Sequence, residues 1–296
     1  LYYNIEDYSI WDYVGGVPDA EARVLRLIGD AETRYREDPV RMLRAARFAA
    51  KLGFTLHPDT EAPLHRLAYM LDSVPPARLF DETMKLLLAG SAVSSFDMLV
   101  SLGLLPHLMP DVAAALAEAP DSPGARLLRL GLENTDQRVR ADKSVTPTFL
   151  FAVLLWPAIL RATGAPNGPL PEDPQLLSSA CDNVMSQQLR RIAVPKRFGL
   201  PMRDLLLMQP RFERRSGRRA LRMLDHPKFR AAYDLLLLRA AAGEVDPEIA
   251  DWWTRLQEMP EEQRIAEVES RPREAADAAP RGRSRSRRRR RRPAAT

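Results

Sequence analysis

From residue 38 onward, apolar residues recur at helical spacing, and this pattern limits the possible folds more than any other feature of the chain. In the segment 38–53 the apolar side consists of Met42, Ala45, Ala46, Ala49 and Leu52. Gly53 follows at the position of a helix C-cap. Strand candidates are nearly absent after residue 30, so the sequence predicts a mainly α fold.

Further segments show the same spacing and are predicted helices. They are 59–71, 76–89, 92–102, 125–132, 146–163, 173–192, 202–208, 211–224, 228–242 and 247–259. The stretch 162–174 contains two glycines and four prolines, and it is therefore predicted to be a loop between lobes. Before this helical part, the short aromatic and β-branched runs 8–14 and 23–28 flank Gly15-Gly16, and they predict two strands joined by a loop.

Charge is unevenly placed along the 296 residues, which carry a net charge of +5. Nine arginines and no acid lie between Arg281 and Arg292, and without them 35 basic side chains face 39 acidic ones. Apolar content also falls from about residue 260, so the segment 261–296 is predicted to be a disordered basic tail.

Several classes of protein are excluded by composition. Cys181 is the only cysteine, which rules out an intrachain disulfide and a multi-cysteine metal site and fits a reducing cytoplasm. The four histidines are scattered with no metal-ligand spacing. No apolar run reaches the length of a membrane span, so we expect no stable membrane insertion.

The segment 34–54 carries the densest chemical information. On a helix, Arg41, Arg44, Arg47 and Lys51 fall within an arc of about 120°, which predicts one cationic face and one buried face. Asp38-Pro39 has the form of a helix start, with the carboxylate accepting from an early amide and proline in the first helical position.

Two interpretations of Asp38 remain open on these residues. In the first, its carboxylate caps the helix and Glu37 favours the helix dipole. In the second, Asp38 and Arg41 read the edge of a nucleobase, because a carboxylate accepts from an exocyclic amine and a guanidinium donates to a ring nitrogen. Neighbouring arginines would then face phosphates.

The run from Tyr35 to Phe54, Tyr-Arg-Glu-Asp-Pro-Val-Arg-Met-Leu-Arg-Ala-Ala-Arg-Phe-Ala-Ala-Lys-Leu-Gly-Phe, resembles the Glu-Asp-x-x-Arg element of the class II nucleotidyltransferases. This family includes bacterial poly(A) polymerases and CCA-adding tRNA nucleotidyltransferases. The upstream residues 12–16, Asp-Tyr-Val-Gly-Gly, resemble the region before that element. The resemblance implies that Asp38 and Arg41 template the incoming nucleotide, with Glu37 and Arg44 at neighbouring positions of the motif.

Two further segments extend the resemblance over most of residues 1–258. The run 75–87 is similar to the next family element, which stabilises the neck helices. Arg78, Glu82 and Lys85 within it are predicted to form a structural ion-pair row, either on the surface or between helices. The run 225–236 is similar to the C-terminal region of the poly(A) polymerase branch.

By this resemblance, the domains are a remnant of the nucleotidyltransferase head at 1–30, a nucleotide- and RNA-binding neck at 31–98, a helical body at 99–260 and the tail at 261–296. The implied activity adds AMP from ATP to RNA 3′ ends in mRNA turnover, with RNA 3′ ends, ATP and RNA-decay proteins as partners. The family holds Mg²⁺ on an Asp-x-Asp pair that is absent from these residues. We therefore expect the start at Leu1 to mark a fragment whose catalytic head lies upstream.

Two more basic features are predicted to bind RNA beside Arg47 and Lys51. The first is a stripe of Arg211, Arg215, Arg218 and Arg222 on one helix face, with Arg214, Arg219 and Lys228 nearby, provided that Gly217 does not break the helix. The second is the tail, including Arg287, Arg288, Arg289 and Arg290. A CCA-adding enzyme and a non-catalytic helical RNA-binding protein remain as alternative functions.

Overall fold

The computed structural model describes residues 1–271, and within this range the chain is mainly helical, as predicted. The short strands are β1 (Tyr2–Tyr3), β2 (Ile10–Trp11), β3 (Val24–Leu25) and β4 (Thr55–Leu56). The helices are α1 (Gly16–Glu21), α2 (Ala31–Glu37), α3 (Val40–Leu52), α4 (Pro58–Leu67), α5 (Pro76–Leu87), α6 (Ala92–Ser101), α7 (Leu105–Leu108), α8 (Pro110–Glu118), α9 (Pro123–Arg140), α10 (Pro147–Ala162), α11 (Pro174–Arg191), α12 (Lys196–Leu207), α13 (Gly217–Leu224), α14 (Phe229–Ala241), α15 (Pro247–Glu258) and α16 (Glu261–Ser270). Two 3₁₀ helices cover Ala68–Ser73 and Gln209–Glu213. The predicted tail arginines from residue 281 onward lie outside the described residues.

The N-terminal strands differ from the prediction. The segments 8–14 and 23–28 each contain only a two-residue strand, and β2 pairs antiparallel with β1 while β3 pairs parallel with β4. The predicted loop between them contains α1. The Asp12 carboxylate accepts hydrogen bonds from the amides of Gly16 and Val17 at 2.9 and 2.8 Å, which satisfies amides at the start of this short helix.

The neck is built around α3, which packs against α5 and α6. Its apolar side is fully buried at Val40, Met42, Leu43 and Ala46. Gly53 ends the helix in the left-handed region at a φ of 64°, as its position predicted. The predicted two-faced helix is therefore confirmed except at Leu52, which was predicted on the apolar side and is 51% exposed at the last turn.

The body is centred on α10, which is buried continuously from Leu150 to Leu160 and packs against α8, α9, α11 and α12. Gly131 permits the close approach of α9, because a Cβ atom at this position would lie 2.3 Å from Cγ1 of Val153. The predicted helix 125–132 lies largely in the N-terminal half of the longer α9, which continues to Arg140. No helix within residues 1–271 has the length and apolar character needed to cross a bilayer.

Two predictions about the C-terminal half are wrong. The predicted helix 211–224 is interrupted, because Arg214 and Ser216 are extended and Gly217 has a φ of 70°. Ordered structure also continues ten residues into the predicted tail as α16. Val268 on this helix is buried, and Glu267 accepts a hydrogen bond from Trp252 Nε1 at 2.7 Å. Arg264 donates to the carbonyl oxygens of Leu256 and Gln257, so polar contacts hold the helix to α15, and it also packs against α13.

Candidate functional site

Asp38 lies at the junction between α2 and α3, and its carboxylate has two contacts. Oδ1 accepts a hydrogen bond from the amide of Val40 at 3.2 Å, and Oδ2 accepts one from Nη2 of Arg78 on α5 at 2.8 Å. The predicted capping geometry is shifted, because Pro39 precedes the helix instead of occupying its first position. The ion pair with Arg78 fixes the carboxylate across 40 residues of sequence.

Arg41 is held by a different set of groups. Its Nη1 atom donates to Oε2 of Glu37 at 2.7 Å and to the carbonyl oxygen of Arg34 at 2.8 Å. Arg34 donates to the same Glu37 oxygen at 2.6 Å. The hydrogen bond from Arg41 and the positive charge of Arg34 lower the pKa of Glu37 from its usual value. Glu37 therefore positions Arg41 and does more than interact with the helix dipole.

The four residues Glu37, Asp38, Arg41 and Arg78 are called the neck site below. Asp38 and Arg41 do not pair with each other, since Asp38 pairs with Arg78 and Arg41 with Glu37. The side chains of Asp38 and Arg41 are 20% and 25% exposed, so each still has contact with solvent. A carboxylate has lone pairs beyond these two bonds and a guanidinium has further N–H donors, so the neck site can offer an acceptor and a donor to a ligand.

The cationic face of α3 continues past the neck site. Arg44 and Lys51 are exposed, whereas Arg47 is half-buried with its guanidinium 4.6 Å from the ring centroid of Phe48. Nε of Arg47 is buried and has no hydrogen-bond partner among the described residues. Phe48 was not singled out from the sequence, although its position among these cations was visible there.

The predicted ion-pair row on α5 is present only in part. Nζ of Lys85 lies 2.8 Å from Oε1 of Glu82. Arg78 pairs with Asp38, which precedes α3, and this contact is of the interhelical kind that the prediction allowed. Helical spacing could not reveal this link, because it joins two helices that are far apart in sequence.

The arginines of the second basic feature surround a cleft instead of forming the predicted stripe. The cleft has a volume of about 460 Å³ and is called the arginine cleft. Its lining consists of Met208, Arg211, Arg214, Arg219, Arg222, Met223 and His226. No acidic side chain from residues 1–271 lines it.

Three of the predicted RNA-binding residues lie elsewhere. Arg215 is turned towards α15, with Nη1 3.2 Å from Oε1 of Glu248, and Arg218 is exposed outside the cleft. Lys228 lines a neighbouring groove. The interruption at Gly217 rotates α13 relative to the preceding 3₁₀ helix, so residues spaced four and three apart no longer share a face.

The described residues do not fit a catalytic metal. The resemblance implies Mg²⁺, which is bound by carboxylates and water. Within residues 1–271, no group of three or more His, Cys, Asp or Glu residues is placed to hold a metal ion. Cys181 is buried, and this burial raises the pKa of its thiol to about 12, so it is not an activated nucleophile.

Comparisons with known proteins identify the relatives of this sequence. Two family models match, described as "Polymerase A arginine-rich C-terminus" over residues 172–293 and "Probable RNA and SrmB- binding site of polymerase A" over residues 53–116. Poly(A) polymerase I of Escherichia coli O6:H1 is 44% identical over 263 residues, which are 87% of this chain and 56% of that protein. The CCA-adding enzyme of Bacillus subtilis strain 168 is 37% identical over 102 residues, 34% of this chain and 26% of that protein.

The fold is also similar to a solved structure. A tRNA nucleotidyltransferase complexed with a primer tRNA and an incoming ATP analogue has a TM-score of 0.55 and 18% sequence identity, with 86% of this chain and 68% of that chain covered. The chain spans a little over half the length of the Escherichia coli relative. On the two family models and the identity across most of its residues, this chain belongs to the bacterial poly(A) polymerase family within the class II nucleotidyltransferases.

Proposed function

We propose that this chain supplies the base-reading and RNA-holding parts of a poly(A) polymerase, which adds AMP from ATP to RNA 3′ ends. The observation that carries the proposal is the neck site, where Asp38 and Arg41 are held by separate partners. A templating site needs an acceptor and a donor in a fixed arrangement, because the discrimination between bases depends on which groups face the ligand.

Adenine fits this arrangement. Asp38 accepts a hydrogen bond from the exocyclic amine of the base, and Arg41 donates one to the adjacent ring nitrogen. Arg44, Arg47 and Lys51 continue the same helix face, and they hold the phosphates of the nucleotide or of the RNA end. The ion pairs with Arg78 and Glu37 keep both base-reading groups in place before the nucleotide arrives.

The chemical step needs groups that residues 1–271 do not contain. We propose that Mg²⁺ is held by carboxylates of a head domain outside this chain and that it supports transfer of the adenylyl group. Large apolar side chains near the N-terminus support such a partner domain, because Tyr2, Ile5 and Tyr8 are 69%, 77% and 76% exposed.

RNA binding follows from the arginine cleft. Four arginines facing one opening attract phosphates, and no acid from the described residues lines it. Within the same proposal, the tail arginines 287–290 add sequence-independent affinity, and RNA-decay proteins are partners of the whole enzyme in mRNA turnover.

A CCA-adding enzyme is the second candidate, because the family resemblance implies that an acid and an arginine such as Asp38 and Arg41 can read either adenine or cytosine. The extent of the matches favours the polymerase, since the Bacillus subtilis CCA-adding enzyme aligns over 34% of this chain and the Escherichia coli polymerase over 87%. Offering CTP and a tRNA without its 3′ end separates the two, because a CCA-adding enzyme stops after a defined triplet. A non-catalytic RNA-binding protein would incorporate neither nucleotide.

The base-reading role is tested by ATP and CTP incorporation with the full-length protein carrying Asp38→Ala or Arg41→Ala. A hydrogen bond to a charged group contributes about 1.5–3 kcal/mol, so each variant should lower kcat/KM for ATP roughly 10- to 100-fold. Arg36→Ala is the matched control, because Arg36 forms an exposed pair with Glu32 on the neighbouring helix α2. An unchanged rate together with an unchanged preference for ATP over CTP would contradict the proposal.

A further inference from the structure

A second basic groove lies where α9, α10, α12 and α14 meet, and of its residues the sequence patterns assigned a role to Lys228 alone. Its volume is about 500 Å³. It is called the Arg197 groove here, and the residues that define it are Arg138, Phe149, Arg197, Phe198, Lys228 and Arg230. The loop 144–146 forms one rim of this groove.

The charge of the Arg197 groove suits an anion. Four cationic side chains line it, whereas Asp234 is the single acid among the described lining residues and lies 3.1 Å from Arg230. Arg138 is fixed at the rim, because its Nε and Nη2 atoms donate to the carbonyl oxygen of Ser144 at 3.2 and 2.9 Å. The groove therefore keeps a surplus of positive charge after its internal ion pair is counted.

Two helix starts reinforce this charge. α12 begins at Lys196 and α14 begins at Phe229, both next to the groove, and no side chain caps either helix. The amides in the first turn of a helix carry partial positive charge and lack partners within the helix. The amides of Phe198 and Phe229 bond to the carbonyl oxygens of Pro195 and His226, so it is the remaining first-turn amides that add to the attraction of the four cationic side chains.

An aromatic wall distinguishes this groove from the arginine cleft. The guanidinium of Arg197 lies 4.8 Å from the ring centroid of Phe198, which stacks on Phe80 with centroids 6.3 Å apart. Phe80 in turn stacks on Phe151 at 6.1 Å. Because Phe80 belongs to α5, the helix that also carries Arg78, the wall is continuous with the helix that positions Asp38.

We propose that the Arg197 groove binds a single-stranded segment of the RNA primer, with phosphates on Arg138, Lys228 and Arg230 and one base stacked on the guanidinium plane of Arg197. This inference rests on the proposed function, because it requires that the chain holds RNA. An acidic peptide would satisfy the cations alone, whereas a strand of nucleotides also uses the flat surface on the aromatic wall.

The location of the groove supports a continuous path for the strand. His226 lines the arginine cleft and Lys228 lines the Arg197 groove, so only the link between α13 and α14 separates the two openings. The chain from His226 to Lys228 forms a turn, so it spans less than the roughly 7 Å of two extended residues, a distance that one strand can bridge. The two basic surfaces then hold consecutive parts of one RNA.

The test measures binding of a fluorescein-labelled oligoadenylate of about 15 nucleotides to residues 1–296 by anisotropy. We compare Lys228→Gln/Arg230→Gln, Arg197→Lys and the control Arg161→Gln, all checked for folding by thermal unfolding. Arg161 is exposed near the other end of α10, about 18 Å along the helix from Phe149. The titrations cover roughly 50 to 300 mM KCl.

The double variant should lower the slope of log affinity against log salt by about 1.4, because each lost phosphate contact on a single strand contributes about 0.7. Arg197→Lys keeps the positive charge and loses the planar guanidinium on which a base stacks. The affinity should therefore fall roughly tenfold, with an unchanged slope of log affinity against log salt. Values equal to those of Arg161→Gln would overturn the groove as an RNA site. Polyglutamate could instead displace the RNA equally well from the wild type and from Arg197→Lys, which would indicate a peptide site. Absence of RNA binding by the wild-type chain would overturn the proposed RNA-holding function itself.

Discussion

The neck site and the arginine cleft use charge in different ways. In the neck site each functional side chain has a fixed opposite charge, so Asp38 faces Arg78 and Arg41 faces Glu37. In the arginine cleft, side chains of like charge surround an opening of about 460 Å³. Fixed pairs suit the reading of one base edge, whereas several arginines around one opening suit phosphates, whose attraction does not depend on base sequence. Under the proposed function, the neck site supplies specificity and the arginine cleft supplies affinity.

The largest expected effect concerns the support beneath the arginine cleft. The side chains of Arg239 and Glu244 are fully buried, 2.9 Å apart, and Nη1 of Arg239 also lies 3.4 Å from Oε1 of Gln209 at the start of the 3₁₀ helix that bears Arg211. Glu244→Ala removes the nearest opposite charge of the buried Arg239, whose other carboxylate, Glu213, lies 3.8 Å away. It also removes the hydrogen-bond acceptor of Trp156 Nε1. We therefore expect a loss of about 3–5 kcal/mol in the free energy of unfolding. Chemical denaturation measures this loss.

Glu118→Ala is the control for that variant, because Glu118 pairs with Arg161 at the surface. An exposed pair contributes at most about 1 kcal/mol. Glu244→Ala and Glu118→Ala could instead lose the same free energy of unfolding. The 3₁₀ helix that bears Arg211 would then not depend on the buried pair, and the arginine cleft would have no buried support.

A smaller effect is expected at the interruption before α13. Gly217 has a φ of 70° with open space around the position of its Cβ, so Gly217→Ala adds backbone strain without a steric clash. We expect about 1–2 kcal/mol of destabilisation and weaker oligoadenylate binding, because the arginine cleft depends on this turn. Thermal unfolding and anisotropy measure the two effects.

Gly199→Ala provides a matched control in α12, since this glycine has no positive φ and also no atom near the position of its Cβ. Alanine should stabilise that helix by up to about 1 kcal/mol. Identical changes at both positions would show that the left-handed turn at Gly217 does not shape the cleft.

The smallest stability change is expected for Arg78→Ala. Its ion pair with Asp38 is partly exposed, so the free energy of unfolding should change by less than about 1 kcal/mol. The ratio of kcat/KM for ATP to that for CTP should nevertheless fall several-fold, because the carboxylate loses its fixed position. Lys85→Ala on the same helix is the control, and an equal fall in both variants would remove the positioning role of Arg78.

The neck could be predicted well because α3 is continuous. Along an unbroken helix, sequence spacing translates directly into position, so the buried side, the cationic face and the stop at Gly53 were all visible in the sequence. The contact between Asp38 and Arg78 was not visible, because it depends on how α3 and α5 pack against each other.

The arginine cleft could be predicted only in part for the opposite reason. The excess of arginine identified a basic feature, yet its geometry depends on the conformation of Ser216 and Gly217, where a glycine permits either a helix or a left-handed turn. The helix α16 was missed because Val268 is its single buried residue, and its contact with α15 has no signal in local composition.

The central claim is that the carboxylate of Asp38 accepts a hydrogen bond from the exocyclic amine of adenine, and a cycle of one variant and one substrate analogue tests it most directly. The measurement compares kcat/KM for ATP and for purine riboside triphosphate, which lacks that amine, in the full-length wild-type protein and in Asp38→Ala. We predict that the wild type prefers ATP by about tenfold or more and that Asp38→Ala loses this preference. An equal preference for ATP in both proteins would contradict the account.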